Sequence, residues 1–534
     1  MPVLGSRSPI IRVPFDRPPM TTPAQDPLHW LNRVVARDPD RLFLETDAGR
    51  RLSYRWLDEC SVRLAGALRT RGVTAGDRVA AQIDKSPEAI ALYIACLRLG
   101  AIFVPLNTAY TLPELEYFLS DAQPRVAVVR PSALASIAAL QTGVQLETLG
   151  TAADGSLVEL AQDPANTSVP ACEGGPDTLA ALLYTSGTTG RSKGAMLTRG
   201  NLLSNAETLA RVWQFSANDV LLHALPIFHV HGLFVAINTV LASGSSILFL
   251  PRFDADQVLA LLPRATVMMG VPTFYTRLLQ SPELDRERVR GMRLFISGSA
   301  PLLAETHRQF RERTGHSILE RYGMSETLMN TSNPYEGERV PGSVGPPLPG
   351  VEIRIAKAET GGALDEPNAI GMIEVRGPNV FKGYWQMPEK TAAEFRTDGF
   401  FITGDLGRID ERGYVHIVGR GKDLVITGGY NVYPIEIENE IDALPGVVES
   451  AVIGAPHPDF GEAVTAIVVK RPEASLDEAA VRDALQTRLA KFKVPKRVLF
   501  VDELPRNTMG KVQKNLLRKQ FAALFAITDP HSPA

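Results

Sequence analysis

The sequence predicts an α/β protein that carries a small β-rich subdomain and ends in a separate α+β domain. Three features lead there: a strand–helix–strand pattern that repeats, a change to short broken strands near residue 340, and a fresh start after residue 420.

The repeat is first legible at residues 78–107, "RVAAQIDKSPEAIALYIACLRLGAIFVPLN", as an apolar strand, a helix opened by Ser86-Pro87, then Gly100 and a second strand. It recurs as "SSILFLP", a helix over 255–262 and "ATVMMGVP", and again as "MRLFISGSAP", a helix over 303–314 and "SILERYGMSE". Such units build parallel sheets covered by helices. From about 340 to 415, short strands broken by Gly and Pro ("PGSVGPPLPGVEIRI", "GYVHIVG") suggest the β-rich part. After Arg420, "DLVITGGYNVYPIEIENEI" offers Pro434 as a first helical residue, followed by strands "VVESAVIGAP" and "AVTAIVVK" and a helix over "SLDEAAVRDALQTRLAKF". The expected division is a disordered tail over 1–27, a large domain over 28–420 and a C-terminal domain over 421–534, parted at "GRGKD".

Bulk properties narrow the function. A chain of 534 residues is long enough for two or more cores. A net charge of -3 gives no global basic field for nucleic acid. Cys60, Cys96 and Cys172 are widely spaced and show no CxxC pattern, which fits a reducing compartment and a cytoplasmic location. The longest apolar stretches, such as 89–106, are interrupted by Arg98 and Gly100, so no membrane span is expected. The N-terminal arginines suggest a transit peptide, but prolines at 2, 9, 14, 18 and 19 oppose the helix such a peptide needs; a tail, or a start at Met20, is the expectation.

Four stretches carry chemistry. "TSGTTGRSKG" is not a Walker loop, because Lys193 follows Gly190 by three. Its Thr185, Ser186, Gly187, Thr188, Thr189, Gly190 and Lys193 nevertheless offer hydroxyls, turning backbone and one cation to a phosphate. "SGSAP" (Ser297, Ser299, Ala300) and "RYGMSET" (Tyr322, Gly323, Glu326, Thr327) each follow an inferred strand, and ligands gather beyond the carboxyl ends of strands in open α/β sheets. Singly, Tyr322 reads as core and Glu326 as a surface acid; their shared position points to a site. In "TGDLG…GR", Asp405 could accept from ribose hydroxyls and Arg420 could bind the same sugar or a phosphate, or the two could be a turn aspartate and an interdomain ion pair. "LPRNTMGKVQK" places Lys511 in a glycine-containing turn near the end of the chain.

In this order the four stretches resemble the core motifs of the adenylate-forming superfamily of acyl-CoA synthetases, luciferases and peptide-synthetase adenylation domains, over residues 28 to 525. The resemblance implies a large domain of two α/β sheets plus a β-barrel, and a mobile C-terminal domain. It implies that a carboxylate attacks the α-phosphate of ATP and that CoA then displaces AMP. Lys193, with the 185–190 loop, would hold the outer phosphates, Glu326 and Thr327 the Mg²⁺, and Lys511 the carboxylate and α-phosphate. Lys422 would be the hinge of a rotation that removes Lys511 and delivers "TGGYN", with Gly428, Gly429 and Tyr430, to CoA. Acetylation of Lys511 by a lysine acetyltransferase, reversed by a deacetylase, would remove the charge of the first step.

The acid is harder to read. If Pro272 opens a helix, Thr273 and Arg277 share one face, and an arginine facing the pocket predicts a second carboxylate on the substrate; Arg277 could equally pair on the surface with an acid such as Glu283. "HALPIFHVHGLF", "MGVPTFYTRLLQSP" and "ERYGMSETLMNTSNPY" resemble bacterial malonyl-CoA synthetases. That resemblance implies Arg277 at the distal carboxylate, His229 gating the pocket, Ser297 and Met329 nearby, and Arg191 in the phosphate loop. As a bare residue, His229 could be a hydrogen-bonded core histidine. Malonate, with methylmalonate tolerated, is the expectation; a short-chain, medium-chain or aryl acid, a non-catalytic nucleotide-binding regulator and a carrier-loading adenylation protein are the alternatives.

Overall fold

A computed structural model describes residues 26–169, 172, 174–185, 192–357, 360–428, 430–507 and 510–525. Four sheets organise them. The first has six strands in the order 145–148, 126–129, 78–82, 102–105, 179–185 and 193–198, all parallel except the last pair. The second has eight, in the order 328–332, 319–324, 294–297, 267–270, 220–223, 246–249, 42–46 and 51–53, parallel but for the outermost pair at each edge. Both carry the repeated unit read from the sequence, and "SGSAP" and "RYGMSET" fall on the neighbouring strands 294–297 and 319–324 of the second sheet.

The helix Pro87–Leu99 shows how local chemistry sets these units. Ser86 accepts from the Ala89 amide, Pro87 takes a position whose N–H is not needed, and Gly100 ends the helix at φ 69°. Its residues are buried on every face, so it lies between layers of the fold.

The segment read as β-rich forms a four-stranded antiparallel sheet, 352–356, 371–376, 401–409 and 415–420, whose first and last strands do not pair with each other among the described residues. Past Arg420 the chain makes a short turn at Gly421–Asp423 and enters a different sheet, built from 425–427, 430–432, 447–457, 461–470 and 497–500. Pro434 does open a helix, Pro434–Asp442. The helix expected over 475–492 is shorter, Glu478–Gln486, because Asp477 caps its start and only Val481 and Leu485 reach the core. No described helix is long and apolar enough to cross a membrane.

Candidate functional site

The phosphate-loop stretch closes an antiparallel hairpin in which Thr185 faces Lys193. Ser186, Gly187, Thr188, Thr189, Gly190 and Arg191 lie outside the described residues. At the hairpin's base, the Lys193 ammonium donates to Glu394 Oε1 at 3.1 Å and sits 4.3 Å from the centre of the Tyr384 ring. The Tyr384 hydroxyl lies 2.6 Å from Glu394 Oε2 and 3.2 Å from Glu326 Oε1, and Thr185 donates to that same Glu326 oxygen at 3.4 Å. Glu394 and Tyr384 were not singled out in the sequence. Glu394 ends the helix Pro388–Glu394 and Tyr384 precedes it, bridged to Ala195, and no local motif marks them.

Glu326 is 6% exposed, and burial raises its carboxyl above the usual range. The neighbouring Thr327 Oγ1 is buried with no hydrogen-bond partner. One carboxylate favoured by a nearby cation and one orphaned hydroxyl form a hard-oxygen pair that fits Mg²⁺. Among the described residues, no group of three or more His, Cys, Asp or Glu could hold a metal ion.

Across the site, Asp405 and Arg420 are register partners on adjacent strands, and Arg420 Nε meets Asp405 Oδ1 at 2.6 Å. The other carboxylate oxygen accepts from the Tyr322 hydroxyl at 2.5 Å. The ion pair lies within one sheet, with Asp405 in a strand and not a turn, so it is not the interdomain pair weighed as an alternative; it joins Tyr322 to Asp405 and Arg420 in one cluster. Burial and the Asp405 charge hold the Tyr322 phenol protonated, and Asp405 raises the Arg420 pKa. Ser299 and Ala300 follow the strand Leu294–Ser297, Ser299 at φ 72°, and Gly323 faces Met329 between strands.

Lys511 enters this cluster from the C-terminal domain. Burial and the Arg420 and Arg321 charges lower its pKa to about 8, against the pull of Asp405 and Glu326. His229 faces Lys511 and Arg321, and burial with those two cations depresses it to about 3, so its imidazole is neutral. His229, Glu326, Asp405, Arg420 and Lys511, spread over 283 residue positions from 229 to 511, thus share one electrostatic neighbourhood.

Arg277 departs from expectation. It stands exposed on the helix Pro272–Gln280, whose buried residues are Tyr275 and Leu278, so burial creates no demand for an anion there. Glu283 pairs with Arg288 instead. The guanidinium that needs an anion is Arg321, which is 3% exposed with Nε and Nη2 unpartnered. It lies over Gly298, where a Cβ would come within 2.4 Å of its Cζ. Burial lowers its pKa to about 9. Ser297 Oγ and His231 Nε2 are likewise buried without partners, and His231 Nδ1 lies 3.2 Å from Ser299 Oγ. Arg321 lies in the stretch "RYGMSET", read from the sequence as following a strand, but no role was read for it there; the structure puts it inside the strand Leu319–Met324. Met329 is buried at 1% exposure.

The stretch expected at CoA stands apart. Gly428 is exposed at φ 56°, Tyr430 is 58% exposed and stacks on Phe492 at 4.7 Å, and Gly429 lies outside the described residues. Lys422 is exposed in the turn between the two sheets.

Residues 31–385 match the family described as AMP-binding enzyme, and residues 436–511 match the AMP-binding enzyme C-terminal domain. The ATP-bound crystal structure of MatB from Rhodopseudomonas palustris is 60% identical, covers 94% of this chain and 100% of its own, and superposes with TM-score 0.91. The apo structure of that protein, at the same identity and coverage, gives 0.81. Among curated relatives, feruloyl-CoA synthase of Amycolatopsis sp is 37% identical over 89% of this chain and 94% of its own. The mitochondrial malonate–CoA ligase of Mus musculus is 37% identical over 90% of this chain and 88% of its own.

Proposed function

We propose, for a chain that belongs to the AMP-binding enzymes and is an AMP-forming acyl-CoA ligase, that the acid it activates is malonate, with methylmalonate accepted. The observation that carries this reading is the unpartnered Arg321 guanidinium. A buried cation without a counter-ion costs several kcal/mol, and a second carboxylate on the substrate would relieve that cost where a fatty or aromatic acid would not. The 60% identity to MatB and the kinship with malonate–CoA ligases agree with it, while the feruloyl-CoA relative shows that the acid varies among proteins of this similarity. One added methyl is worth only about 1–3 kcal/mol in a pocket, hence methylmalonate.

In this reading the distal carboxylate meets Arg321 and the reacting carboxylate turns to the α-phosphate of ATP, where pyrophosphate leaves. Two anions must approach each other, so positioning and charge neutralisation dominate catalysis. Lys511 would bridge the attacking oxygen and the α-phosphate, and Lys193, released from Glu394, would follow the outer phosphates. Tyr322 would offer its ring to the adenine, and Asp405 with Arg420 would take the ribose. Glu326 and Thr327 would hold Mg²⁺, which supplies positive charge beside the phosphates. Neutral His229 can donate or accept a hydrogen bond at the acyl group without adding a third cation beside Lys511 and Arg321. In the second step the CoA thiol attacks the acyl carbonyl and AMP leaves; Lys422 would be the hinge between the large and C-terminal domains, and Gly428–Tyr430 would guide the pantetheine. Acetylation of Lys511 would block the first step by removing its charge.

The test compares malonate with butyrate by pyrophosphate release. The expected preference for malonate falls by roughly 30-fold or more in Arg321→Met, the loss typical of a truncated buried ion pair, and changes little in Arg277→Met. Equal kcat/KM for the two acids in the native protein would overturn the dicarboxylate reading.

A further inference from the structure

The loop bearing Lys511 is gripped by side chains that none of the roles above uses. Arg506 Nη1 donates to the Gly510 carbonyl at 2.5 Å, and its Nη2 bonds the Glu449 carboxylate. Asn507 closes the same turn: its N–H donates to the Lys511 carbonyl at 3.0 Å, and its Oδ1 accepts from the Lys511 N–H at 3.0 Å. One turn later, Lys514 pairs with Glu438 at 2.6 Å.

The base of this grip is firm. Glu449 belongs to the eleven-residue strand Val447–His457, which pairs along its length with Gly461–Lys470 at the centre of the C-terminal sheet. The side chains of Arg506 and Glu449 are 28% and 25% exposed, so their ion pair is shielded more than a surface pair. The far side of the loop meets the large domain: Gly510 has φ 72°, and a Cβ on it would stand 3.1 Å from Thr273 Oγ1 at the start of the helix Pro272–Gln280. A glycine satisfies both the backbone angle and the close approach.

We propose that Glu449 and Arg506 are positioning residues for adenylation alone: the carboxylate anchors the guanidinium, the guanidinium fixes the Gly510 carbonyl, and the fixed carbonyl aims the Lys511 ammonium into the site. This rests on the reading that Lys511 serves the first half-reaction. Because Lys511 must leave before CoA attacks, the clamp has no part in the second.

The experiment measures both half-reactions in the full-length protein: malonate-dependent pyrophosphate exchange, and thioester formation from supplied malonyl-adenylate and CoA. Glu449→Gln keeps the shape and removes the charge. It is expected to lower the kcat of exchange about 10- to 100-fold, the scale of a loss in alignment approaching 1 Å, with little change in the KM for ATP and thioester formation within twofold. Arg506→Ala should do the same, and Arg506→Lys should recover part of the loss, since an ammonium can reach one of the two partners but not fork between them. Lys511→Ala separates the two claims. If it abolishes exchange while Glu449→Gln and Arg506→Ala leave exchange intact, the clamp is wrong; if exchange survives Lys511→Ala, the underlying reading of Lys511 is wrong. A matched fall in both half-reactions with a lowered Tm would make the pair merely structural and would also overturn the proposal.

Discussion

Lys511 bears its charge where the surroundings oppose it, and this has a kinetic signature. Its pKa of about 8 comes from burial and from the Arg420 and Arg321 charges. The protonated form is the one that can neutralise an attacking carboxylate and a phosphate, so the active form of the free enzyme is lost as pH rises through that value. The kcat/KM for adenylation, which reports the free enzyme, should therefore be level below pH 8 and fall about tenfold per unit above it. Thioester formation from supplied malonyl-adenylate should lack this limb. Lys511→Arg, whose guanidinium holds its proton to higher pH than an ammonium, should be slower and should move the limb upward. A descending limb of equal midpoint in Lys511→Arg would assign the titration to another group. His229, held near 3, contributes no acid limb in the ordinary range.

At the scale of elements, the loop "LPIFHVHGLF" matters most for the pocket, and it folds in an unforeseen way. Residues 231–237 form a π-helix, a rare turn that often sits at functional sites. It is tied down by Gly232: its carbonyl accepts from His223 Nε2 at 2.9 Å, and a Cβ there would come within 2.0 Å of the Pro226 carbonyl. His223 Nδ1 in turn accepts from the half-buried Lys85 side chain at 2.8 Å. Gly232→Ala must push that carbonyl aside, so it should destabilise the protein by about 1–3 kcal/mol, as overpacking does, and raise the KM for malonate with little change in that for ATP. An unchanged denaturation midpoint would show that the loop yields freely. The strand–helix–strand units were legible because polarity period and caps such as Ser86-Pro87 and Gly100 are local signals. The π-helix was not, because a continuous apolar run reads alike in any helical register. The exposure of Arg277 was not legible for a related reason: helical spacing gives a shared face but not its direction, and only assembly of the sheet shows that Arg321 is sealed over Gly298. Glu394 and Tyr384 meet Lys193 from about 200 residues away, a distance over which sequence spacing carries no geometry.

The whole molecule places one of its two C-terminal tools at the site and the other in solvent. Lys511 stands beside Arg420 and Glu326, whereas Ile426 and Tyr430 on the strands 425–427 and 430–432 are 53% and 58% exposed and packed among residues of their own domain. Both belong to one sheet and its flanks, so under the proposed two-step reaction presenting the second would turn that sheet relative to the first 420 residues. The covalent link that must absorb a turn is short: the last strand of the large domain ends at Arg420 and the next sheet begins at Val425, with Lys422 exposed between them. Arg518 from the helix Lys514–Gln520 bonds Asp423, which ties the turn's C-terminal side to the C-terminal domain and supports the proposal of Lys422 as the joint. Proline fixes φ near −65°. Lys422→Pro should therefore keep malonate-dependent pyrophosphate exchange within about threefold and slow thioester formation from supplied malonyl-adenylate by about 100-fold, the penalty of losing a gating motion rather than a chemical group. If the two half-reactions fall together, the turn is a structural element of the adenylating pose; if neither falls, the rotation pivots elsewhere in the chain.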